Sequence, residues 1–241
     1  MLKVHSIETF GTHEGPGIRL VIFMQGCNIN CLYCHNPDTK KIAGGKEMSV
    51  DEVLQLLDRQ KPYFKDGGGL SVSGGEPTLQ TGALIELFRE VKKAGYHTAL
   101  DTNGVIASKE VEELYGLTDL LLLDVKHIDD SWHKKITGTG NASVLKMAEY
   151  REKSGKPMWL RYVLVPGYTD QEEHLHAFGR HFASYQQIER VEILPYHTFG
   201  VYKYDAMQEP YYLDGVKSPG VEEVEAVRSI FKQYFKEVII R

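Results

Sequence analysis

Two hydrophobic patterns alternate along the chain. Short, nearly continuous runs of apolar and β-branched residues are typical of buried strands, whereas apolar residues that recur every three or four positions are typical of one helix face. Because the two patterns take turns along most of the chain, they predict parallel strands joined by helices. The strand-like runs cover residues 18–25, 70–73, 97–101, 120–125, 158–165 and 190–194.

Helices are predicted between and after these runs. Ser49 and Glu52 form a capping-box pattern, which predicts a helix that begins just after Ser49. Gly95 follows another amphipathic stretch and is typical of a helix end. The helical stretches cover residues 49–60, 81–93, 109–115, 143–153, 171–185 and 221–235.

The length of the chain limits the choice of fold. One βα unit with its return takes about 30 residues, so six units occupy roughly 180 of the 241 residues. A full eight-stranded barrel typically needs about 250 residues. We therefore predict an α/β fold in which residues 1–241 form a single domain. This domain is expected to be an incomplete (β/α)6 TIM-like barrel with parallel strands. A C-terminal extension is expected from about residue 198 to residue 241. A doubly wound open sheet is the alternative.

Composition narrows the class of function. The formal net charge of −5 argues against nucleic acid as the main partner, because phosphate binding calls for a basic surface. No apolar run approaches the ~20 residues of a membrane span, and the first residues lack a secretory signal pattern. The odd number of cysteines, 3, indicates a reducing compartment. We expect a cytoplasmic protein that binds neither nucleic acid nor a membrane.

All the cysteines lie in one short segment, 27–34, at Cys27, Cys31 and Cys34. Iron–sulfur clusters are usually held by four thiolates, so a trio predicts a 4Fe–4S cluster with one iron open to substrate or cofactor. A zinc site with His35 as fourth ligand is an alternative, although adjacent Cys34 and His35 are poorly placed to bind one ion. Three buried thiols without a ligand are the remaining alternative. The spacing favours the cluster.

Chemically capable residues follow the predicted strands at their downstream ends. Ligands bind at that edge in parallel α/β folds, so these residues are candidates for one shared site. They are Gly74, Gly75 and Glu76 after the second strand, Asp101 and Thr102 at the third, Asp124, Val125 and Lys126 at the fourth, and His197 after the sixth.

The glycine pair has two interpretations. Gly74 and Gly75 lack side chains, which lets a ligand touch their backbone, and Glu76 directly behind them suits an ammonium group. A plain tight turn is the alternative.

The other candidates also have structural alternatives. Asp124 and Lys126 share one face of a strand and are expected to point into a cleft, or else to form a solvated pair at the strand end. Arg161, inside a strand, needs an anionic ligand or a structural ion-pair partner. The Tyr33 ring either packs against a flat ligand or fills the core of its loop. His197 either contacts a ligand or is a hydrogen-bonded histidine at the downstream edge of the predicted sheet.

The same residues fall into longer motifs. GIR at 17–19, QGC at 25–27 and CLYCHNP at 31–37 resemble the radical S-adenosylmethionine superfamily, in its glycyl-radical-enzyme activase branch. GGEP at 74–77 matches that superfamily's methionine-binding loop, and LDTNG at 100–104 matches its third-strand signature. LPYH at 194–197 and YLDGV at 212–216 resemble one member of the branch. The resemblance runs from about residue 6 to residue 219.

The resemblance implies a chemistry. Cys27, Cys31 and Cys34 would hold three irons of a 4Fe–4S cluster, and the fourth iron would take the amino and carboxylate groups of S-adenosylmethionine. One electron would split the S–C5′ bond into methionine and a 5′-deoxyadenosyl radical. That radical would remove a hydrogen from a glycine Cα of a partner enzyme, with the cofactor supplying the difficult chemistry.

The resemblance also implies roles for the edge residues. The loop from Gly74 to Glu76 would accept the methionine ammonium, while Tyr33 to His35 would lie against the adenine. Asp101, Thr102 and Asp124 would hold a monovalent cation near the carboxylate. The further implied cofactor contacts are Cys34, Asp124, Val125, Lys126, Arg161 and His197.

The implied partners are proteins. A flexible glycine-bearing segment of a glycyl radical enzyme would reach the open barrel mouth, because glycine has no side chain to obstruct it. A flavodoxin or a ferredoxin would deliver the electron, and we expect a monomer. Glu14 stands where the family commonly has aspartate and keeps the charge. The lack of further cysteines favours the minimal activase over relatives with extra clusters.

Two other functions stay open on the sequence. The first is a radical enzyme that acts on another glycyl radical enzyme or on a small molecule, as the deazaguanine-forming synthases do. The second is a zinc-stabilised binding module without catalysis.

Overall fold

The computed structural model describes residues 1–65 and 67–241. Contacts divide the chain into two compact units. The first unit comprises Met1–Asn28 and Thr39–Leu122, and the second comprises Ile29–Asp38 and Leu123–Arg241. The chain therefore passes from one unit to the other inside the cysteine-bearing segment.

The first unit is built on a sheet of mostly parallel strands. Its strands are β1 Leu2–Gly11, β2 Arg19–Met24, β3 Lys46–Met48, β4 Gly69–Gly74, β5 His97–Thr102 and residues 120–122 of β6 Leu120–Asp124. They lie in the order β3-β1-β2-β4-β5-β6. β2, β4 and β5 are parallel, whereas β1 is antiparallel to both β2 and β3.

Three helices complete the first unit, α1 Val50–Gln60, α2 Thr81–Lys93 and α3 Lys109–Leu117. At the start of α1, the Ser49 hydroxyl accepts the Glu52 N–H and the Glu52 carboxylate accepts the Ser49 N–H, which confirms the capping box. The apolar face of α2 is fully buried, through Leu84, Leu87, Phe88 and Val91.

The second unit has the same α/β character. Its strands β7 Met158–Leu164, β8 Ile188–Pro195 and β9 Val238–Ile240 are parallel, and the end of β6 joins β7 through the Val125 N–H, which donates to the Arg161 carbonyl (3.1 Å). Its helices are α4 Asp130–Thr137, α5 Ala142–Lys153, α6 Glu172–Phe182, α7 Val201–Met207 and α8 Val221–Phe231.

Every predicted strand and helix forms, which confirms an α/β fold with parallel strands. Two helices end earlier than predicted, at Phe182 and Phe231. Beyond Phe182, the N–H groups of Gln186 and Gln187 donate to the Glu152 carboxylate instead of continuing the helix. Among the strands and α-helices of the described residues, five were not predicted, namely β1, β3, β9, α4 and α7. The single domain over 1–241 stays a prediction.

No helix in the described part of the chain has the length and apolar character needed to cross a membrane.

A buried histidine follows β6 in the second unit. His127 is 0 % exposed, its Nδ1 accepts the Asp129 N–H (3.0 Å), and its ring meets His174 edge-on at 4.8 Å. Burial, assisted by His174, lowers the pKa of His127 to about 4. The folded protein therefore keeps this ring neutral at pH values where an unfolded chain, with a histidine pKa near ~6.5, already binds a proton.

This difference predicts acid sensitivity. Stability from neutral His127 is present above pH ~6.5 and is lost as the pH falls towards about 4, because the unfolded state then binds the extra proton. Between pH 7.5 and pH 5, wild type is expected to lose about 2 kcal/mol more unfolding free energy than His127→Gln. Urea unfolding at pH 7.5 and at pH 5 measures the loss of unfolding free energy in each protein. Equal losses in wild type and His127→Gln would contradict the prediction.

Candidate functional site

The backbone around Cys27 is fixed within the first unit. Cys27 lies just beyond β2, and its N–H donates to the Lys40 carbonyl (3.1 Å). The preceding Gly26 N–H donates to the Thr39 carbonyl (2.7 Å), and Gly26 has a φ of +98°, which favours glycine. The thiol of Cys27 is partly exposed. This cysteine is therefore held by its main chain while its sulfur can still reach a ligand.

Gly74 and Gly75 pack directly against the residues before Cys27. The Gly75 N–H donates to the Met24 carbonyl (3.0 Å), and the Glu76 N–H donates to the Gly26 carbonyl (2.7 Å). A Cβ on Gly75 would lie 2.1 Å from the Gly26 oxygen, and Gly74 has a φ of +110°. We predicted that the missing side chains of Gly74 and Gly75 let a ligand approach the backbone. In the structure it is the backbone of residues 24–26 that approaches these glycines closely.

Adding a methyl group at Gly75 is therefore expected to be costly. Gly75→Ala should lower the unfolding free energy by about 2–4 kcal/mol, because the Gly26 carbonyl is backbone and cannot move aside cheaply. Gly82→Ala is the matched control, since no atom lies within 4 Å of the position its added methyl would take and alanine favours the helix. Urea unfolding should show a loss for Gly75→Ala only; equal stability of the two variants would contradict this packing.

Glu76 ties this loop to the end of β5. Its side chain is 0 % exposed, and its Oε1 accepts the Thr78 N–H (2.9 Å) and the Thr102 hydroxyl (2.7 Å). Its Oε2 accepts the Asn103 N–H (2.8 Å). Burial raises the pKa of Glu76, and these donors act against that rise. A contact between this carboxylate and an ammonium group stays a prediction, and it would compete with the donors already present.

Asp101 and Thr102 lie beside Glu76 in the first unit. The Ser73 hydroxyl donates to Asp101 Oδ2 (2.7 Å), while the Thr102 hydroxyl accepts the Gly104 N–H (3.1 Å). In residues 1–65 and 67–241 no group of three or more His, Cys, Asp or Glu side chains is arranged to hold a metal ion. The monovalent cation predicted at Asp101, Thr102 and Asp124 therefore stays a prediction.

Helix α4 holds the start of the cysteine segment in the second unit. The Asn30 N–H donates to the Thr137 carbonyl (2.9 Å) and the Leu32 N–H to the Ile136 carbonyl (3.0 Å), both at the C-terminal end of α4. The last carbonyls of a helix have no partner inside it, so they are available for such contacts. Residues 29–32 are thereby attached to a rigid element.

Helix α7 holds the other end of the same segment. The Tyr204 hydroxyl donates to the Cys34 carbonyl (3.0 Å), and Lys203 Nζ donates to Asn36 Oδ1 (3.0 Å). A Cβ on Gly200, just before α7, would lie 2.9 Å from the His35 backbone. We did not predict Gly200, Lys203 and Tyr204 as site residues; only the neighbouring LPYH motif at 194–197 pointed to this region.

His35 and His197 form a stacked pair. Their ring centroids are 4.0 Å apart, and His35 Nε2 donates to the His197 carbonyl (2.8 Å). Burial lowers the pKa of both rings, so they are neutral at pH 7. The structure therefore brings two predicted cofactor contacts together as a flat, uncharged surface next to Cys34.

Tyr33 is buried under a charged pair. Its ring, 5 % exposed, lies in an apolar cluster that includes Tyr196, and Lys126 Nζ stands 5.8 Å from the ring centroid. Lys126 Nζ is 2.7 Å from Asp124 Oδ2, with side chains 11 % and 19 % exposed. Burial opposes the Lys126 charge, but Asp124 outweighs it and raises the Lys126 pKa well above its ordinary value. The solvated-pair alternative is therefore wrong, because both side chains are mostly buried.

Arg161 is engaged in an ion-pair network. Its Nε donates to Glu192 Oε2 (3.0 Å), and Arg241 Nη2 donates to Glu192 Oε1 (3.2 Å). Glu192 is 0 % exposed, and a buried carboxylate needs such cationic donors. Arg161 therefore forms the structural ion pair that was one of its two interpretations, whereas its contact with a cofactor stays a prediction. Val125 is fully buried and its N–H donates to the Arg161 carbonyl, so its contact with a cofactor stays a prediction.

The donor set suits an iron–sulfur cluster. In the described part of the chain all the cysteines are thiols, each partly exposed. In a cluster each thiolate binds its own iron, so the thiols need not converge on a single ion. Within the same segment, Tyr33 Oη is buried without a hydrogen-bond partner among the described residues, so it can form a hydrogen bond with a bound ligand or an ordered water.

The chain is similar to named proteins over nearly its full length. The pyruvate formate-lyase 1-activating enzyme of Escherichia coli (strain K12) is 41% identical over 240 residues, which is 98% of each chain. The pyruvate formate-lyase-activating enzyme of Staphylococcus aureus (strain USA300) is 45% identical over 236 residues, which is 94% of each chain.

Solved structures share the fold. A domain of a pyruvate-formate lyase-activating enzyme from Bacteroides vulgatus ATCC 8482 matches with a TM-score of 0.61 and 26% identity, covering 72% of this chain and 99% of that one. Streptococcus suis SuiB bound to the precursor peptide SuiA matches with a TM-score of 0.71 and 17% identity, covering 97% of this chain and 49% of that one. The latter likeness concerns the fold alone, and it confirms the predicted incomplete barrel.

A family model decides the assignment. The Radical SAM superfamily model matches residues 21–178, more than half of the chain, and this stretch contains the three cysteines and the GGEP loop. Membership implies a 4Fe–4S cluster and S-adenosylmethionine, so the zinc-module alternative is wrong. The chain belongs to the radical SAM superfamily and, within it, to the pyruvate formate-lyase activating enzymes.

Proposed function

We propose that this chain activates pyruvate formate-lyase by generating a glycyl radical on it. The observation that carries the proposal is the identity of 41% and 45% with pyruvate formate-lyase activating enzymes over nearly the whole chain. The three thiols at the expected spacing support it. These relatives favour the activase over an enzyme that acts on a small molecule.

The cysteines are the proposed cluster ligands. Three thiolates, Cys27, Cys31 and Cys34, leave one iron of a 4Fe–4S cluster without a protein ligand and open to the amino and carboxylate groups of S-adenosylmethionine. Held by these residues, the cluster and S-adenosylmethionine would supply, with one electron from outside, the cleavage of the S–C5′ bond and the removal of a hydrogen from a glycine Cα. Hydrogen bonds to the main chain hold Cys27 within the first unit and Cys34 within the second, so the backbone of each proposed ligand is positioned in its own unit before the cofactors bind.

The remaining residues bind and orient the cofactor. The neutral stack of His35 and His197 suits an uncharged adenine ring, and Tyr33 adds apolar surface beside it. The backbone of Gly74 and Gly75 is the proposed binding site for the methionine ammonium, since the Glu76 carboxylate is occupied by protein donors.

A charged pair accompanies these contacts. Asp124 and Lys126, with Val125 between them, are proposed to face the cofactor from the end of β6. Their net charge is zero, so the pair adds hydrogen-bonding groups without adding charge. Arg161 is proposed as a more distant contact, positioned by Glu192.

We also propose a monovalent cation at Asp101, Thr102 and Asp124. Hard cations prefer oxygen ligands, which these side chains supply, and a cation would offset the carboxylate charge of the cofactor.

The protein partners follow from the same function. The substrate is a flexible glycine-bearing segment of pyruvate formate-lyase, and a flavodoxin or a ferredoxin is the electron donor. We propose a cytoplasmic monomer, because a free barrel mouth is needed for the partner segment.

The test is anaerobic reconstitution with iron and sulfide, reduction, and addition of S-adenosylmethionine with and without pyruvate formate-lyase. We expect an organic radical doublet in the partner by electron paramagnetic resonance, together with one released 5′-deoxyadenosine per radical. Release of 5′-deoxyadenosine without a partner radical would contradict the proposed substrate. Failure to take up iron and sulfide would contradict the cluster assignment.

A further inference from the structure

Helix α7 is short and is anchored by one buried side chain. It spans 7 residues, Val201–Met207, and isolated helices of fewer than about 12 residues are marginal in water, so α7 depends on its contacts with the rest of the second unit. Tyr204 is the buried residue of this helix, at 3 % exposure. Its ring packs edge-on against Tyr211, with 5.0 Å between the ring centroids. The place of α7 in the second unit therefore depends on the contacts of Tyr204.

The hydroxyl of Tyr204 contacts the main chain of a proposed cluster ligand. It donates to the Cys34 carbonyl (3.0 Å). Burial raises the pKa of Tyr204, and the nearby Cys34 and Cys31 thiols raise it further, so the hydroxyl stays protonated and remains a donor. The Cys34 N–H donates to the Cys31 carbonyl (3.2 Å). Cys34 is thus held through its N–H by its own segment and through its carbonyl by α7.

Lys203, the neighbour of Tyr204 on α7, holds the residues that follow Cys34. Its Nζ donates to Asn36 Oδ1 (3.0 Å) and to Asp38 Oδ1 (3.1 Å). The side chains of Lys203 and Asp38 are 22 % and 32 % exposed, so water screens this ion pair only in part. Two consecutive residues of one helix therefore contact residues 34–38 at Cys34, Asn36 and Asp38.

We propose that Tyr204 is the positioning residue for Cys34, because its hydroxyl fixes the Cys34 carbonyl and so presents the sulfur to its iron from a rigid backbone. Lys203 assists by fixing residues 36–38. The inference rests on the proposed function, in which Cys34 is a cluster ligand. A thiolate on a fixed backbone rebinds its iron after a transient release, whereas a thiolate on a mobile backbone leaves the iron open to water and chelators. Removal of a residue that orients a metal ligand typically costs about 10–100-fold in metal affinity.

The test compares two variants that each lose one buried tyrosine hydroxyl. Tyr204→Phe removes the donor to the Cys34 carbonyl and keeps the ring. Tyr162→Phe is the matched control, because the buried Tyr162 hydroxyl also donates to a backbone carbonyl of the second unit, that of Thr169 (2.6 Å), outside the cysteine segment. Urea unfolding measures the stability that each variant loses. Loss of the visible absorbance of the reconstituted, oxidised cluster in excess EDTA measures iron release, without S-adenosylmethionine or a reductant.

Tyr204→Phe is expected to lose its cluster about 5–20-fold faster than wild type, because one hydrogen bond to the ligand's main chain is missing. Lys203→Met should also lose its cluster faster than wild type. Tyr162→Phe should release iron at the wild-type rate, although it loses a similar amount of unfolding free energy. Equal rates in wild type and Tyr204→Phe would overturn the proposal. So would an equal acceleration in Tyr162→Phe, which would show that lower stability alone releases the cluster.

Hydrogen exchange gives a second readout that does not need the cluster. In the protein without iron, a peptide that covers residues 31–38 is expected to exchange several-fold faster in Tyr204→Phe than in wild type and Tyr162→Phe, as measured by mass spectrometry. Unchanged exchange would overturn the proposal, because the hydroxyl would then not hold the segment. A failure of the proposed function is seen separately, as a wild-type protein that takes up no iron and sulfide.

Discussion

Replacing Cys31 with alanine is expected to abolish both the visible absorbance of the reconstituted cluster and the cleavage of S-adenosylmethionine. The chain has no fourth cysteine that could substitute, so one iron would lose its only protein ligand. Removal of a residue that merely supports a metal ligand costs about 10–100-fold, so loss of a ligand itself should reduce cluster content and cleavage by more than ~100-fold.

The matched control is Asn30→Ala. Asn30 is an exposed neighbour in the same segment and contacts α4 through its backbone N–H, which alanine retains. This variant should bind iron and sulfide like wild type. If Cys31→Ala kept the absorbance and released 5′-deoxyadenosine, the ligand assignment would be wrong.

Replacing Glu76 with glutamine is expected to lower the free energy of unfolding by about 2–3 kcal/mol. Each carboxylate oxygen accepts at least one N–H, from Thr78 at Oε1 and from Asn103 at Oε2. The amide NH₂ group must take one of these two positions, where it would face a donor and leave a buried hydrogen bond unmade. Because the Glu76 carboxylate ties this loop to the end of β5, a several-fold rise in the KM for S-adenosylmethionine should accompany the loss if the loop binds the cofactor as proposed.

Glu86→Gln is the control for this variant. Glu86 is an exposed residue on α2 in the same unit, so its replacement should change stability by less than ~0.5 kcal/mol. Urea unfolding of both variants provides the comparison. Equal stability of the Glu76 and Glu86 variants would show that Glu76 does not tie the loop to β5.

The strands and helices that sequence patterns predicted are those with strong periodicity. The six central strands are continuous apolar runs, which few other structures accommodate. β1 lacks that pattern because Leu2, Val4 and Gly11 alone are buried along it and the rest of the strand is partly or fully exposed. β3 and β9 are too short to show a period.

The site was predictable where chemistry demands particular residue types. Thiolates for iron and glycines for close approach leave signatures in the sequence, so Cys27, Cys31, Cys34, Gly74 and Gly75 could be named as candidates, and their contacts with a cluster or cofactor stay predictions. Such signatures identify a residue without giving its contacts.

The contacts that hold these residues join distant parts of the chain. Tyr204 reaches the Cys34 carbonyl across 170 positions, and Asn103 reaches Glu76 across 27. No local pattern announces such pairs, because each partner also suits a solvated helix or turn. Arg161 shows the same limit, since a strand arginine predicts an anion but cannot tell Glu192 from a ligand.

The most direct test of the proposed reaction follows the hydrogen itself. Pyruvate formate-lyase labelled with glycine deuterated at Cα is incubated with the reduced, reconstituted protein and S-adenosylmethionine, and the mass of the released 5′-deoxyadenosine is measured by mass spectrometry. Direct abstraction predicts that this product carries one deuterium for each glycyl radical formed. Unlabelled 5′-deoxyadenosine alongside a partner radical would show that the hydrogen comes from elsewhere, and would contradict direct abstraction from the glycine Cα.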